Sequence, residues 1–161
     1  MGPENLIDAI RSSLGEAVLD VADSFGDAVL VIRADAVRPA LAALREAPFD
    51  YALLLDLTCV DFAAAEGRFE LVYHLYSLSR NVRLRIKASV PAGDPAAATL
   101  VGLWKNAEWL EREVYDMFGV RFEGHPDLRR LLTYEGFEGH PLRKSYPWRL
   151  EQPRIPLKDD V

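Results

Sequence analysis

Three groups of residues could carry chemistry. Residues 108–116, Glu108-Trp109-Leu110-Glu111-Arg112-Glu113-Val114-Tyr115-Asp116, place four acids and one base in nine positions. On a helix, Glu108, Arg112 and Asp116 stand at i, i+4 and i+8, which predicts a ladder of opposite charges. Glu113 and Asp116 share a face at i, i+3, where paired carboxylates could move protons. No nucleophile or metal motif lies nearby, so a salt-bridged surface is the plainer reading. His125 and His140 head two near-duplicate strings, Gly124-His125-Pro126-Asp127-Leu128-Arg129-Arg130 and Gly139-His140-Pro141-Leu142-Arg143-Lys144. Their separation is too loose for a His-based metal site, which wants tight spacing and added carboxylates. Pro126 and Pro141 hold the preceding residue extended, so each imidazole can bond a neighbouring carbonyl. The paired bases Arg129-Arg130 and Arg143-Lys144 suit carboxylates or phosphates. Nothing matches G-x-G-x-x-G or a P-loop, which leaves carboxylates on a protein partner. Cys59 lies in an apolar strand beside Asp56 and Asp61, a setting that raises a thiol and leaves it inert. Trp104 and Trp109 read as packing anchors, and Trp148 as an interface residue.

These groups sit on a chain of 161 residues with net charge −6, half of it hydrophobic, with a single cysteine. The length suits one domain with its own core. One cysteine excludes an internal disulfide and a four-Cys cluster, and fits a reducing compartment. No apolar run approaches a membrane helix, and no secretory signal opens the chain. Charge is uneven: residues 1–120 carry 18 acids and 11 bases, residues 121–158 carry 5 and 8. An acidic body thus ends in a basic tail, punctuated by Gly124, Pro126, Gly136, Gly139, Pro141, Pro147, Pro153 and Pro156.

Hydrophobic spacing predicts a helix over residues 3–14, then a hairpin of residues 16–24 and 28–32 about Phe25-Gly26-Asp27. Asp35 should cap a helix over 36–47 that Pro48 ends. Residues 53–60, 68–77 and 82–90 read as strands, with Arg83, Arg85 and Lys87 on an outer face. Asp94 and Pro95 should open a helix from about Ala96, and residues 106–118 form another that Gly119 stops. The order indicates an α+β fold: a mostly antiparallel sheet of about five strands, helices on one side, then an extended irregular C-terminal arm. The expected division is a platform over 1–120 and an arm over 121–161.

The string Glu111-Arg112-Glu113-Val114-Tyr115-Asp116-Met117-Phe118-Gly119-Val120 runs on into Gly124-His125-Pro126-Asp127-Leu128-Arg129-Arg130-Leu131-Leu132 and Gly136-Phe137-Glu138-Gly139-His140-Pro141-Leu142-Arg143-Lys144. It closely resembles the signature of the thirty-kilodalton subunit of respiratory complex I, the proton-pumping NADH:quinone oxidoreductase. Upstream, Leu55-Asp56-Leu57-Thr58-Cys59-Val60-Asp61-Phe62 and Arg68-Phe69-Glu70-Leu71-Val72-Tyr73-His74-Leu75 resemble the same family. The resemblance implies a non-catalytic subunit of the hydrophilic arm, on the cytoplasmic side of the bacterial inner membrane. It implies no cofactor in this chain, since iron–sulfur clusters, FMN and quinone belong to partner subunits. The implied partners are the forty-nine-kilodalton subunit of the quinone site and the twenty-kilodalton subunit of the terminal cluster. Membrane contact is implied only through them. The interface set expected from this reading is Glu111, Arg112, Glu113, Asp116, His125, Pro126, Asp127, Arg129, Arg130, His140, Pro141, Arg143, Lys144 and Trp148.

Three alternatives remain at this point. One is the equivalent subunit of a hydrogenase-type, ferredoxin- or deazaflavin-dependent membrane complex. Another is a hydrolase using His125 or His140 with Asp127 or Glu138. The third is a nucleic-acid module using Arg83, Arg85 and Lys87, against which the acidic total counts.

Overall fold

The computed structural model describes residues 3–152, with side chains from Leu6 onward. Helix α1 (Pro3–Leu14) buries Leu6 and Ile10, two members of the expected apolar stripe. Strands β1 (Val18–Ser24) and β2 (Asp27–Ile32) form the expected hairpin. Its turn takes positive φ at both Phe25 and Gly26, the backbone that matches strand twist in two-residue hairpins. Helix α2 (Val37–Arg45) buries Val37, Ala40, Leu41 and Leu44. Asp35 does not cap it. Its carboxylate pairs with Arg33, and a 3-10 turn over Ala34–Ala36 leads into the helix. Strands β3 (Leu53–Phe62), β4 (Arg68–Ser77) and β5 (Val82–Pro91) form a meander, with the short α3 (Ala63–Glu66) between β3 and β4.

The five strands make one sheet in the order β1-β2-β5-β4-β3. Every neighbouring pair is antiparallel except β2 with β5, where Ala28 to Ile32 run parallel to Leu84 to Ala88. Alternation sorts the two faces. Leu30, Ile32, Leu57, Cys59, Leu71, Tyr73, Leu75, Leu84 and Ile86 are buried with the helices' apolar sides in one core. The other face carries the polar alternation. Glu70 accepts from Arg68 at 3.2 Å and pairs with Lys87 at 2.9 Å, and Arg85 donates to Ser24. Two of the strand's cations therefore already have protein partners, which weakens the nucleic-acid alternative.

One element departs from expectation. No helix starts at Ala96. Residues Ala96–Ala98 form strand β6, parallel to β7 (Arg121–Glu123). Alanine's helix preference is small per residue, and tertiary contacts override it here. Asp94 binds Arg121 instead of capping, and Arg38 donates to the carbonyl of Thr99. Regular structure thus continues through Glu123. Helix α4 (Ala107–Phe118) packs on β3 and ends at Gly119, whose φ of 73° gives the left-handed stop. Before it, Trp104 and Asn106 donate to the carbonyls of Ala52 and Leu54, fixing the approach to the β3 edge.

The Tyr73 hydroxyl is fully buried and has no hydrogen-bond partner among the described residues. Burial pushes its pKa up, with Glu111 adding to the effect. Removing an unmet polar group of this kind is neutral to stabilising, so Tyr73→Phe should raise stability by about 0.5–1 kcal/mol in a urea titration. A loss of stability would show that the hydroxyl has a partner in solution.

Candidate functional site

The charged helix and the two His-Pro strings meet along one line. From Gly124 the chain turns back and runs beside α4 in the helix's own direction. His125 Nε2 donates to the carbonyl of Glu108 at 3.1 Å, and its Nδ1 accepts from the Asp127 backbone N–H. Those partners fix which ring nitrogen donates and which accepts, since a carbonyl can only accept and an N–H only donate. One turn further along, Arg112 donates to the carbonyls of Arg129 and Arg130 at 3.1 and 3.0 Å, and its guanidinium lies over the Trp109 ring. Arg112 therefore forms no ladder with Glu108 and Asp116, contrary to the i, i+4 expectation. Backbone carbonyls of the arm offer it two hydrogen bonds in a partly desolvated site, and it takes them in place of Glu108.

Asp116 is the centre of the junction. Its side chain has no solvent exposure. One carboxylate oxygen accepts from the backbone N–H groups of Leu131, Leu132 and Thr133 at 3.0, 2.8 and 2.8 Å. The other accepts from Arg130 at 2.7 Å and from the Thr133 hydroxyl. Successive N–H groups converging on one oxygen form an anion nest, here filled by a carboxylate of the same chain. Burial alone would push this group's pKa up. The bonds from Thr133, Arg130 and Leu132 outweigh it and hold the carboxyl well below the usual range.

The arm then closes the end of α4. The last carbonyls of a helix lack intrahelical partners. His140 Nδ1 meets the Asp116 carbonyl at 2.9 Å, the Leu142 N–H donates to the Met117 carbonyl at 3.1 Å, and Arg143 donates to the Phe118 carbonyl at 2.6 Å. The Gly119 N–H donates to the carbonyl of Tyr115. Beyond, the Lys144 N–H donates to Asp61 at 2.7 Å, and Gln152 donates to the Glu138 carbonyl and the Tyr146 hydroxyl.

Burial lowers the His140 pKa, and the nearby Arg143 and Arg130 cations add to this, while its bond to the Asp116 carbonyl opposes it. The folded state therefore favours the neutral ring. Its contribution is complete above the ordinary histidine value near pH ~6.5 and is lost as the pH falls below that. Protection of the Leu142 amide, corrected for intrinsic exchange, should weaken between pH 7.5 and 5. The same amide in a His140→Gln chain should show no such pH dependence, and an equal pH slope in both chains would remove His140 from the attachment.

Glu111, on the opposite side of α4, binds the loop after β6. Its oxygens accept from the Thr99 hydroxyl and the Leu100 N–H, each at 2.6 Å. Burial raises its pKa, and those two bonds oppose the rise. Burial also pushes Cys59 up to about 12, with Asp61 adding to it, which fits an inert thiol.

The remaining expected residues divide by exposure. Glu113 and Pro126 are exposed, Asp127 pairs with Arg129 at the surface, Pro141 is half-buried, and Lys144 is exposed. Trp148 is 83 % exposed. The carboxylates Glu113 and Asp116 do not act together, because one faces solvent and the other fills the nest. Among the described residues, no group of three His, Cys, Asp or Glu is placed to hold a metal ion. Also among them, no helix is long and apolar enough to cross a membrane. Sequence reading missed Thr99, Thr133 and Asp61 as partners. For Asp61, an acid inside an apolar strand was the available signal. The arm's residues 153–161 lie outside the described residues.

Residues 30–152 match the family described as "Respiratory-chain NADH dehydrogenase, 30 Kd subunit". A relative in Thiobacillus denitrificans, described as a subunit of NADH-quinone oxidoreductase, is 43 % identical over 89 % of this chain and 76 % of its own length. A Geotalea uraniireducens protein of the same description is 40 % identical over 86 % and 84 %. The chain spans a smaller share of others, 46 % in Novosphingobium aromaticivorans. Among solved structures, a trypsin-resistant fragment of Nqo5 gives a TM-score of 0.67 at 30 % identity, covering 78 % of this chain and 98 % of that one. A chain of an archaeal membrane-bound sulfane sulfur reductase gives 0.76 at 25 % identity, covering 98 % of both. With the signature residues of α4 and the arm engaged as described, the chain belongs to the 30 Kd subunit family of respiratory-chain NADH dehydrogenases.

Proposed function

We propose that this chain is a non-catalytic structural and assembly subunit in the hydrophilic arm of a proton-translocating NADH:quinone oxidoreductase. In this reading it braces the forty-nine-kilodalton-type subunit of the quinone site and the neighbouring twenty-kilodalton-type subunit of the terminal cluster. It sits on the cytoplasmic side of the membrane, binds no cofactor of its own, and touches the membrane only through partners. The observation that carries the reading is how the signature residues are used. Arg112, Asp116, His125, His140 and Arg143 hold backbone groups of this same chain, which is the use expected of architecture. The hydrolase alternative needs His125 or His140 as a base, yet both ring nitrogens of His125 have backbone partners and His140 Nδ1 meets the Asp116 carbonyl.

The contacts with partners fall to what the closed arm leaves in solvent. Trp148, Leu132 and Leu142 are 83 %, 63 % and 54 % exposed, and the Arg129 side chain is 70 % exposed. Aromatic and Arg anchors of this type dominate interface energies. Arg130 and Arg143 contribute by shaping the arm. Replacing Arg129 and Trp148 together with Ala should reduce co-purification of both partner subunits by tenfold or more, about 1.4 kcal/mol or greater, with the thermal midpoint of the free chain unchanged. Undiminished recovery, or partners unrelated to a quinone-reducing enzyme, would overturn the reading. The sulfane sulfur reductase neighbour supports a second reading, the equivalent place in a related membrane complex with another electron donor or acceptor. The partners recovered from the native source distinguish the two.

A further inference from the structure

We propose that residues 124–150 form a strap that opens and closes on the body as one unit, with the Asp116 carboxylate as its clasp. This goes beyond the assembly role and holds whether or not any partner is named.

Two independent observations carry it. The first is where the core ends. Among the described residues, none after Phe122 is buried; Leu128 is the one hydrophobic side chain of the strap packed on the core, and the Arg143 guanidinium lies over the ring of core residue Phe69. The apolar interior is thus built from residues up to Phe122, and the strap adds no buried side chain to it. The second is how the strap is held. Its attachments are polar and lie along one line: His125 on Glu108, Arg112 on the Arg129 and Arg130 carbonyls, the nest on Asp116, then His140, Leu142 and Arg143 on the last turn of α4. Lys144 on Asp61 ends the line. A segment fixed by hydrogen bonds whose partners water can replace opens at far lower free energy than a core strand.

Asp116 differs from the other attachments in kind. It gathers five bonds from four consecutive residues, Arg130 to Thr133, on a carboxylate with no exposure. Those residues take a turn in which three N–H groups point at one spot, and only an anion satisfies all three. Loss of the charge should therefore release the middle of the strap, and the flanking single bonds then hold separate ends. Arg112, His140 and Arg143 each hold one or two carbonyls and cannot substitute.

The test uses the full chain and amide hydrogen exchange, with native-state trypsin cleavage as a second readout. In the wild type, the Leu131, Leu132 and Thr133 amides should be protected at least about tenfold over intrinsic rates. They should exchange together, and at least about a hundredfold faster than Leu71 and Ile86 in the central strands. Asp116→Asn keeps the shape and removes the charge. It should speed exchange of the strap amides and cleavage after Arg130 by tenfold or more, leaving Leu71 and Ile86 unchanged. Thr133→Val, which removes the hydroxyl's bond to Asp116 and the one it accepts from Arg130 but leaves the three backbone bonds of the nest, should give a smaller acceleration confined to the strap. Three results would overturn the proposal. One is unprotected strap amides in the wild type, meaning no closed state. Another is strap and strand amides exchanging at one common rate, meaning no separate unit. The third is strap exchange indifferent to both substitutions, meaning a different clasp. The wild-type comparison stands even if Asp116→Asn fails to fold.

Discussion

Glu111→Ala should destabilise the chain by about 3 kcal/mol, which lowers the thermal midpoint by roughly 6–12 °C for a protein of this size. The carboxylate is fully buried and accepts two short bonds, from the Thr99 hydroxyl and the Leu100 N–H. Bonds to a charged acceptor are worth about 1.5–3 kcal/mol each, and losing the acceptor strands two buried donors. Part of this is offset, because burial disfavours the charge, as its raised pKa shows. Glu111→Gln keeps the volume and one good acceptor, so it should cost only about 1 kcal/mol. A thermal melt by circular dichroism ranks the three chains. Equal midpoints for Ala and wild type would show that β6 and its loop are held by packing alone.

Gly119→Ala should act on both the fold and the arm. The residue sits at φ 73°, where a side chain costs about 1 kcal/mol. A Cβ there would also overlap the His140 ring and the Arg143 guanidinium. Those are the two side chains that close the last turn of α4. The expected result is a loss of about 1–2 kcal/mol in body stability, with marked deprotection of the Leu142 amide. Gly67→Ala is the control. Its φ is 65°, but a Cβ would meet nothing within 4 Å. It should cost about 1 kcal/mol from the backbone alone and leave Leu142 protected. Equal effects on Leu142 in both variants would remove the close approach at Gly119 as the cause.

Much of the fold was legible because periodicity reports burial. The stripe of Leu6 and Ile10 on α1, the alternation in β4 and β5, and Gly119 as a stop all follow from local pattern. Two local expectations failed where a distant residue or a competing partner decided the outcome. Asp35 has Arg33 within reach and takes it, so the cap does not form. Ala96 to Ala98 read as helical on propensity, but their conformation is set by Arg121 to Glu123, which follow them by a whole helix. The α4 surface shows the same limit in charge. The spacing of Glu108, Arg112 and Asp116 is ladder-like, and sequence alone has no means of seeing that the chain would return alongside and offer carbonyls and N–H groups instead. What could be read there was the carbonyl role of His125 and His140, because proline after histidine limits the backbone.

The one parallel pairing within the five-stranded sheet, β2 with β5, bears on how the chain folds. The β1–β2 hairpin and the β3–β4–β5 meander are each closed by near neighbours in sequence, so loop entropy favours their early formation. They join only along the seam of Ala28 to Ile32 with Leu84 to Ala88, across more than fifty residues. Such non-local pairing is the slow kind. During synthesis, β2 has one bonded edge and one open edge until residue 88 emerges, an interval of several seconds at ribosomal rates of about 5–20 residues per second. The nascent subunit is therefore most exposed to edge-to-edge aggregation in its first half, before the strand that protects it has been made.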